Sequence, residues 1–151
     1  MTLLLLHSAA DISSRAIALG GQGSDPEVLP LGNWPVYVDM EPDTPDELLT
    51  CKDTTGTDHG RTMPDGAIVQ HYGIQVVIRS MDKLDGYQKT QALRHWFAEE
   101  VYQASVTIDT ATYIIHCFAK IGQTLSVGLD SPHTMRWLHT LNVQAAIRRV
   151  S

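Results

Sequence analysis

The chain has 151 residues, about the length of one domain, with 17 acidic and 11 basic residues and a formal net charge of −6. Charged residues make up only 19% of the sequence, which does not fit the combination of low hydrophobicity and dense charge that produces disorder. The acidic balance argues against a nucleic-acid-binding protein that uses a basic patch, and two cysteines cannot form a disulfide framework or a four-thiolate zinc site.

The N-terminal region is rich in leucine and predicts a helix over residues 3–19. Leu5, Ile12 and Leu19 fall on one apolar stripe, and a glycine-rich run follows at residues 20–23. A cleaved signal peptide is not expected, because no basic residue precedes the leucines. No segment approaches the roughly 18 apolar residues of a membrane-spanning helix, so we expect a protein without a membrane segment that is made and used in the cytoplasm, or inside something assembled there.

Three strands and one long loop are predicted in the middle of the chain. Short strands are expected at 34–40 and 48–52, separated by an acidic, proline-rich turn. Residues 54–66 are polar and contain glycine, so they predict an exposed loop that is long enough to suggest a function. The clearest strand is 68–79, where one nearly apolar face alternates with a mixed face.

The second half of the chain predicts a helix followed by two or three strands. The helix is expected over residues 82–103, with Asp82 as its N-cap. Strands are expected at 111–121 and 137–150, joined by a hairpin-like connection over 122–136. The order of elements predicts one α+β domain over the whole chain, with a mostly antiparallel sheet and two helices packed on one face.

One pattern with possible chemistry is Asp53-Thr-Thr-Gly-Thr57. It looks like the nucleophile loop of haloacid-dehalogenase-type phosphatases and P-type ATPases, in which a carboxylate at a strand end attacks a phosphate. Those families have a larger parallel α/β body and an acidic pair for magnesium, which this sequence lacks. The same residues are also typical of a polar turn between strands. A small Asp53-nucleophile phosphatase stays open as an alternative.

Seven histidines are a second possible source of chemistry. His71 and His116 lie within predicted strands and could be neighbours across a sheet, where Asp58 or His59 could complete a metal site. None of the histidines has a compact ligand spacing, and scattered polar positions explain them more simply. No nucleophile elbow or phosphate-binding loop occurs either, so we predict no enzyme activity, no metal and no cofactor.

The order of several weak motifs resembles the minor capsid and tail-terminator proteins of long-tailed bacteriophages. Such sequences begin with a Leu/Ala-rich helix that ends in a Gly-rich turn. The further motifs that carry the resemblance are 34–43 with Pro45-Asp46, Asp53-Thr-Thr-Gly56, 75–80, Gly128-Leu-Asp130 and Leu141-Asn-Val143. One departure is Ala104-Ser105, where the family often has a glycine.

This resemblance implies a tail-terminator-like fold and a structural protein of the virion tail and neck. Members assemble on the tail tube as a homo-oligomeric ring, typically of about six copies, which stops tube polymerisation and faces the head–neck complex. The implied partners are further copies of the chain, the tail tube protein and a neck or connector protein. A negative charge suits a lumen through which DNA passes without specific binding. A head-completion stopper and a toxin–antitoxin or adaptor-type binding domain are the alternatives.

Five residues are candidates for interfaces. We expect the loop 54–66 to face the tube or the lumen through Asp58, His59, Arg61 and Asp65, although it could also be an ordinary loop. Arg79, at a strand end, is expected to pair with an acidic neighbour in the same subunit or across the ring.

Overall fold

A computed structural model describes residues 3–21, 34–61, 68–129 and 135–151. Both of its helices continue into a short π-helical turn, at Ile17–Gly21 and Trp96–Glu100. The helices and strands, in chain order, are α1 (Ala9–Ala16), β1 (Val36–Val38), β2 (Leu48–Arg61), β3 (Ile68–Ser80), α2 (Lys83–His95), β4 (Ala104–Ile108), β5 (Ala111–Ala119), β6 (Leu125–Leu129) and β7 (Trp137–Arg149).

The strands form one sheet in the order β1-β2-β3-β7-β5-β4, with β6 also paired to β7. Every pair is antiparallel except β1 with β2. β7 lies at the centre: one edge pairs with β3 over residues 137–146, and the other pairs with β6 near its start and with β5 near its end. The prediction of a mostly antiparallel sheet is confirmed.

The hydrophobic core lies between the sheet and the two helices. Ile74 and Val76 of β3 stand opposite Val143 and Leu141 of β7, and these four side chains are buried against the fully buried Ile12 of α1. α1 contacts β1, β2 and β3 and also reaches β4 and β7, so the sheet curls around it. α2 packs on β3 and β7 and covers one end of the curled sheet.

The first helix begins later than predicted. Ser8 is its N-cap, with an extended backbone and a hydroxyl that accepts a hydrogen bond from the Asp11 N–H at 3.1 Å. Residues 3–7 precede the helix, and Leu3 forms an isolated antiparallel bridge with Arg149 of β7. The apolar stripe therefore predicts the helix correctly only over residues 9–19. The leucines before it are exposed and partly buried in turn, as in a strand.

The loop predicted over 54–66 is wrong for residues 54–61, which continue β2 and pair with β3. Polar residues form a strand here because the pairing depends on backbone hydrogen bonds. Two bulges interrupt the register, between Thr54 and Thr57 and between Asp58 and Arg61. The rest of the predicted loop, residues 62–66, lies outside the described residues.

Other boundaries also differ from the prediction. Asp82 caps α2 as expected, by accepting the N–H groups of Leu84 at 2.8 Å and Asp85 at 3.3 Å, but the helical region ends at Glu100. A further strand, β4, precedes the predicted strand at 111–121, and the turn between β4 and β5 contains Asp109 with a φ of 53°. The predicted connection 122–136 includes the strand β6.

Candidate assembly surfaces

The β2–β3 hairpin extends beyond the rest of the sheet. β7 pairs with β3 only from His71 onward, and β1 pairs with β2 only up to Cys51. Residues 57–61 and 68–70, called the hairpin arm below, therefore have no other strand beside them in the described part of the chain. A ribbon of two strands is marginally stable by itself in water. The arm is thus a natural element for contact with another molecule.

The arm carries three of the predicted interface residues. Asp58 stands opposite Gln70 and Arg61 opposite Ile68 in the strand register, with His59 between them along β2. The structure describes the backbone of these three residues but not their side chains. Asp65 lies outside the described residues.

Arg79 lies apart from the arm, in the interior. It is buried at the far end of β3 and donates hydrogen bonds to main-chain carbonyls of the loop 40–47. The Nη2 atom lies 2.7 Å from the Pro42 oxygen, 2.6 Å from the Pro45 oxygen and 3.3 Å from the Asp43 oxygen, and Nε lies 3.4 Å from the Asp46 oxygen. Its partners are thus the backbone of an acidic loop, and Arg79 holds that loop onto the sheet.

A second arginine, which sequence reasoning missed, holds the same loop. Arg136 is nearly buried, and its Nη1 atom donates to the Asp43 carbonyl at 2.6 Å. Its guanidinium also forms ion pairs with the carboxylates of Asp43 at 3.3 Å and Asp46 at 3.6 Å. The Asp43 side chain is still 92% exposed, so the loop presents acidic groups outward. No sequence motif links positions 93 residues apart, and only the fold shows this contact.

Asp53 lies in an open cleft of about 320 Å³ between the N-terminal segment and the β2–β3 hairpin. Its Oδ1 atom accepts the Ala10 N–H at 2.9 Å, which satisfies one of the free donors at the start of α1. His7 also lines the cleft, with Nδ1 2.7 Å from the hydroxyl of Tyr113. Both titratable side chains thus already have partners that fix the N-terminal segment to the sheet, an arrangement that fits a structural joint.

The proposed histidine pair does not form. His71 and Cys117 both stand opposite Ala146 of β7, from opposite sides, so β7 separates His71 from the part of β5 that contains His116. Strands two positions apart are about 9.6 Å from each other. Among the described residues, no group of three His, Cys, Asp or Glu side chains could hold a metal ion. No helix in the described ranges is long and apolar enough to cross a membrane.

Comparison with known families decides what kind of protein carries these surfaces. A family model described as "Bacteriophage tail terminator protein" matches residues 12–148, which include all seven strands, apart from the last residue of β7, and most of α1. The chain belongs to the bacteriophage tail terminator family. The resemblance seen in the sequence is thereby confirmed, and a structural role in a phage tail follows, as a component of the virion. No curated protein matches the chain.

Proposed function

We propose that this tail terminator caps the phage tail tube as a ring of about six copies, ends tube polymerisation and forms the surface that joins the head–neck complex. The observation that carries the proposal is the family match over residues 12–148. The low charge of the chain supports it, since 19% charged residues leave a surface that copies of itself can cover.

Within the ring, we assign the hairpin arm to the side that faces the tube or the lumen. The arm projects past β7, and both of its strands have a free edge in the described part of the chain. Free strand edges form backbone hydrogen bonds readily with a partner. The β2 strand of the arm is polar and charged, with Asp58, His59 and Arg61, which suits a contact that forms in water during assembly.

The acidic loop 40–47 supports the proposed passage of DNA. Arg79 and Arg136 hold the loop by its carbonyls, and the carboxylates of Asp43 and Asp46, which pair with Arg136, stay 92% and 57% exposed to solvent. Acidic groups repel phosphate, so such a surface near the lumen keeps DNA from binding as it moves. A ring structure with a lumen lined mainly by Lys and Arg would contradict this part of the proposal.

Shortening the arm tests the proposal. Replacing residues 58–70 with Asn-Gly closes the hairpin at the Thr57–His71 pair with a favoured two-residue turn. We expect a folded protein by circular dichroism. Phage that carry only this variant should make overlong tails that do not join heads, as seen by electron microscopy. The control Tyr102→Ser changes a side chain that is 81% exposed outside the arm, and should assemble normally. Tails of normal length joined to heads in the shortened variant would refute the assignment of the arm.

A further inference from the structure

The first half of α2, residues 83–90, packs on the sheet without a large apolar anchor. Its buried residues, none of which has a large apolar side chain, are Gly86, Lys89 and Thr90. Leu84 is 61% exposed and Tyr87 is 44% exposed, whereas the second half of the helix contributes Leu93 to the hydrophobic core. Because tertiary packing of apolar side chains supplies most of the stability of a helix, the first half is the part of α2 that can open by itself.

A histidine lies beneath this half of the helix, at a position where the alternation of β7 predicts an apolar residue. His139 is fully buried, two residues before the buried Leu141, and it stands opposite the buried Ile78 of β3. Neither ring nitrogen of His139 has a hydrogen-bond partner among the described residues. A buried polar group without a partner is costly, and the same group in its charged form is more costly still.

Gly86 sets the distance between the helix and the imidazole of His139. A Cβ atom at position 86 would lie 2.8 Å from the Nδ1 atom, closer than a side chain can approach. The ring of Tyr87 contacts the imidazole edge-on, with 6.4 Å between the centroids. The helix thus covers the imidazole, and a charged ring can be hydrated only when this part of the helix moves away.

The charged groups around the imidazole do not supply a counter-ion. On the elements that pack against it they are Asp82, Lys83, Asp85 and Lys89 of α2, Arg79 of β3 and Arg136 just before β7, and β6 has none. No carboxylate of the described ranges pairs with His139, and Asp82 is engaged as the helix cap. Burial lowers the pKa of His139 below the usual 6.5, and the positive charge of Lys83 lowers that pKa further.

We propose that His139 makes the first half of α2 an acid-released element: protonation of the imidazole drives residues 83–90 off the sheet, while Leu93 keeps the second half in the core. In the open state the imidazole regains its ordinary pKa, so the open state binds the proton more tightly than the closed state. Closure is therefore fully stable above about pH 6.5 and weakens as the pH falls from there through the lowered pKa. This release is a property of the single chain and does not require the proposed ring.

Amide hydrogen exchange over a pH series tests the release. The full-length chain is followed by NMR from about pH 7.5 to about pH 4.5, and each rate is divided by the intrinsic rate at that pH. The protection of amides 86–90 should fall by up to about tenfold per pH unit below 6.5, the limit for one proton, while the amides of β5 stay protected. No fall at residues 86–90, or an equal fall in β5, would overturn the proposal.

Two histidine variants assign the effect to one ring. His139→Leu fills the buried site with a side chain that cannot be charged, and the fall in protection should disappear. The matched control His116→Leu changes a partly exposed histidine of β5 whose Nδ1 atom lies 3.0 Å from the Gln103 side-chain oxygen, and it should keep the fall. A fall that persists in His139→Leu would assign the release to another group and refute the proposal.

A glycine variant tests the geometry at constant pH. Gly86→Ala places a methyl group against the imidazole and should lower the protection of amides 87–90 by about tenfold at about pH 7.5, although alanine favours a helix. Adding His139→Ala to this variant removes the obstructing ring and should restore the protection. If Gly86→Ala is protected like the wild type, or if the second substitution restores nothing, the helix is not held against this ring and the proposal is wrong.

Discussion

Replacing Arg79 with methionine tests whether this arginine holds the acidic loop to the sheet. Methionine keeps the unbranched apolar stem in a buried site but donates no hydrogen bond. Two of the bonds, to Pro42 at 2.7 Å and Pro45 at 2.6 Å, are short enough to count fully, while those at 3.3 and 3.4 Å add little. A hydrogen bond from a charged group contributes about 1.5 kcal/mol or more, so the free energy of unfolding should fall by about 3 kcal/mol.

Urea unfolding followed by circular dichroism measures this loss, and thermal unfolding should show a decrease in Tm of about 6–12 °C for a chain of this length. Lys52→Met is the matched control, because it removes a partly exposed ion pair with Glu41 at 3.3 Å. Such a pair contributes less than about 1 kcal/mol. If Arg79→Met costs no more than Lys52→Met, the loop does not depend on the carbonyl contacts and the reasoning is refuted.

Three further predictions concern the interior. Gly73→Ala should lower the free energy of unfolding by about 1–3 kcal/mol in urea, because a Cβ atom there meets the backbone of β2; an unchanged value would show that the bulge can move. The ring nitrogens of His139 have no hydrogen-bond partner among the described residues, and burial lowers its pKa from the usual 6.5. Since the unfolded chain then binds the proton more tightly, stability should fall as the pH drops below 6.5 through the lowered pKa, and His139→Leu should reduce that slope in acid titrations. Burial raises the pKa of Cys51 to about 12, so a thiol reagent should modify Cys117 alone in the native protein; rapid labelling of both would contradict the buried position.

The sequence predicted those parts of the fold in which buried and exposed residues alternate at a regular spacing. Alternating apolar residues located β3 and β7 almost to the residue, and Asp82 marked the start of α2. It failed for the outer part of β2, residues 54–61, because exposed polar residues give no alternation, and backbone pairing with β3 decides the conformation there. β6 was missed for a related reason: a five-residue edge strand with a bulge at a glycine resembles a connection.

The interface candidates also differ in how much of their surroundings the local sequence could predict. Asp58, His59 and Arg61 lie on a strand instead of the predicted loop, and their place at an interface stays a prediction. Arg79 was singled out for its charge at a strand end, and its interior role depends on a loop more than 30 residues earlier. Its companion Arg136 comes from a third segment of the chain, so local pattern could not reveal the pair.

The Asp53-Thr-Thr-Gly56 motif, which in the sequence resembles a phosphatase loop, has a physical explanation in this fold. Asp53 accepts the Ala10 N–H and so ties the start of α1 to β2. Three residues later, Gly56 lies so close to the backbone of His71 and Tyr72 that a side chain would have no room. The threonines between them span the bulge that separates the paired part of β2 from the hairpin arm. The contact between α1 and β2 therefore requires a carboxylate at the helix start and a glycine at the bulge. The motif resembles a nucleophile loop because both structures need an acid and a glycine beside a strand.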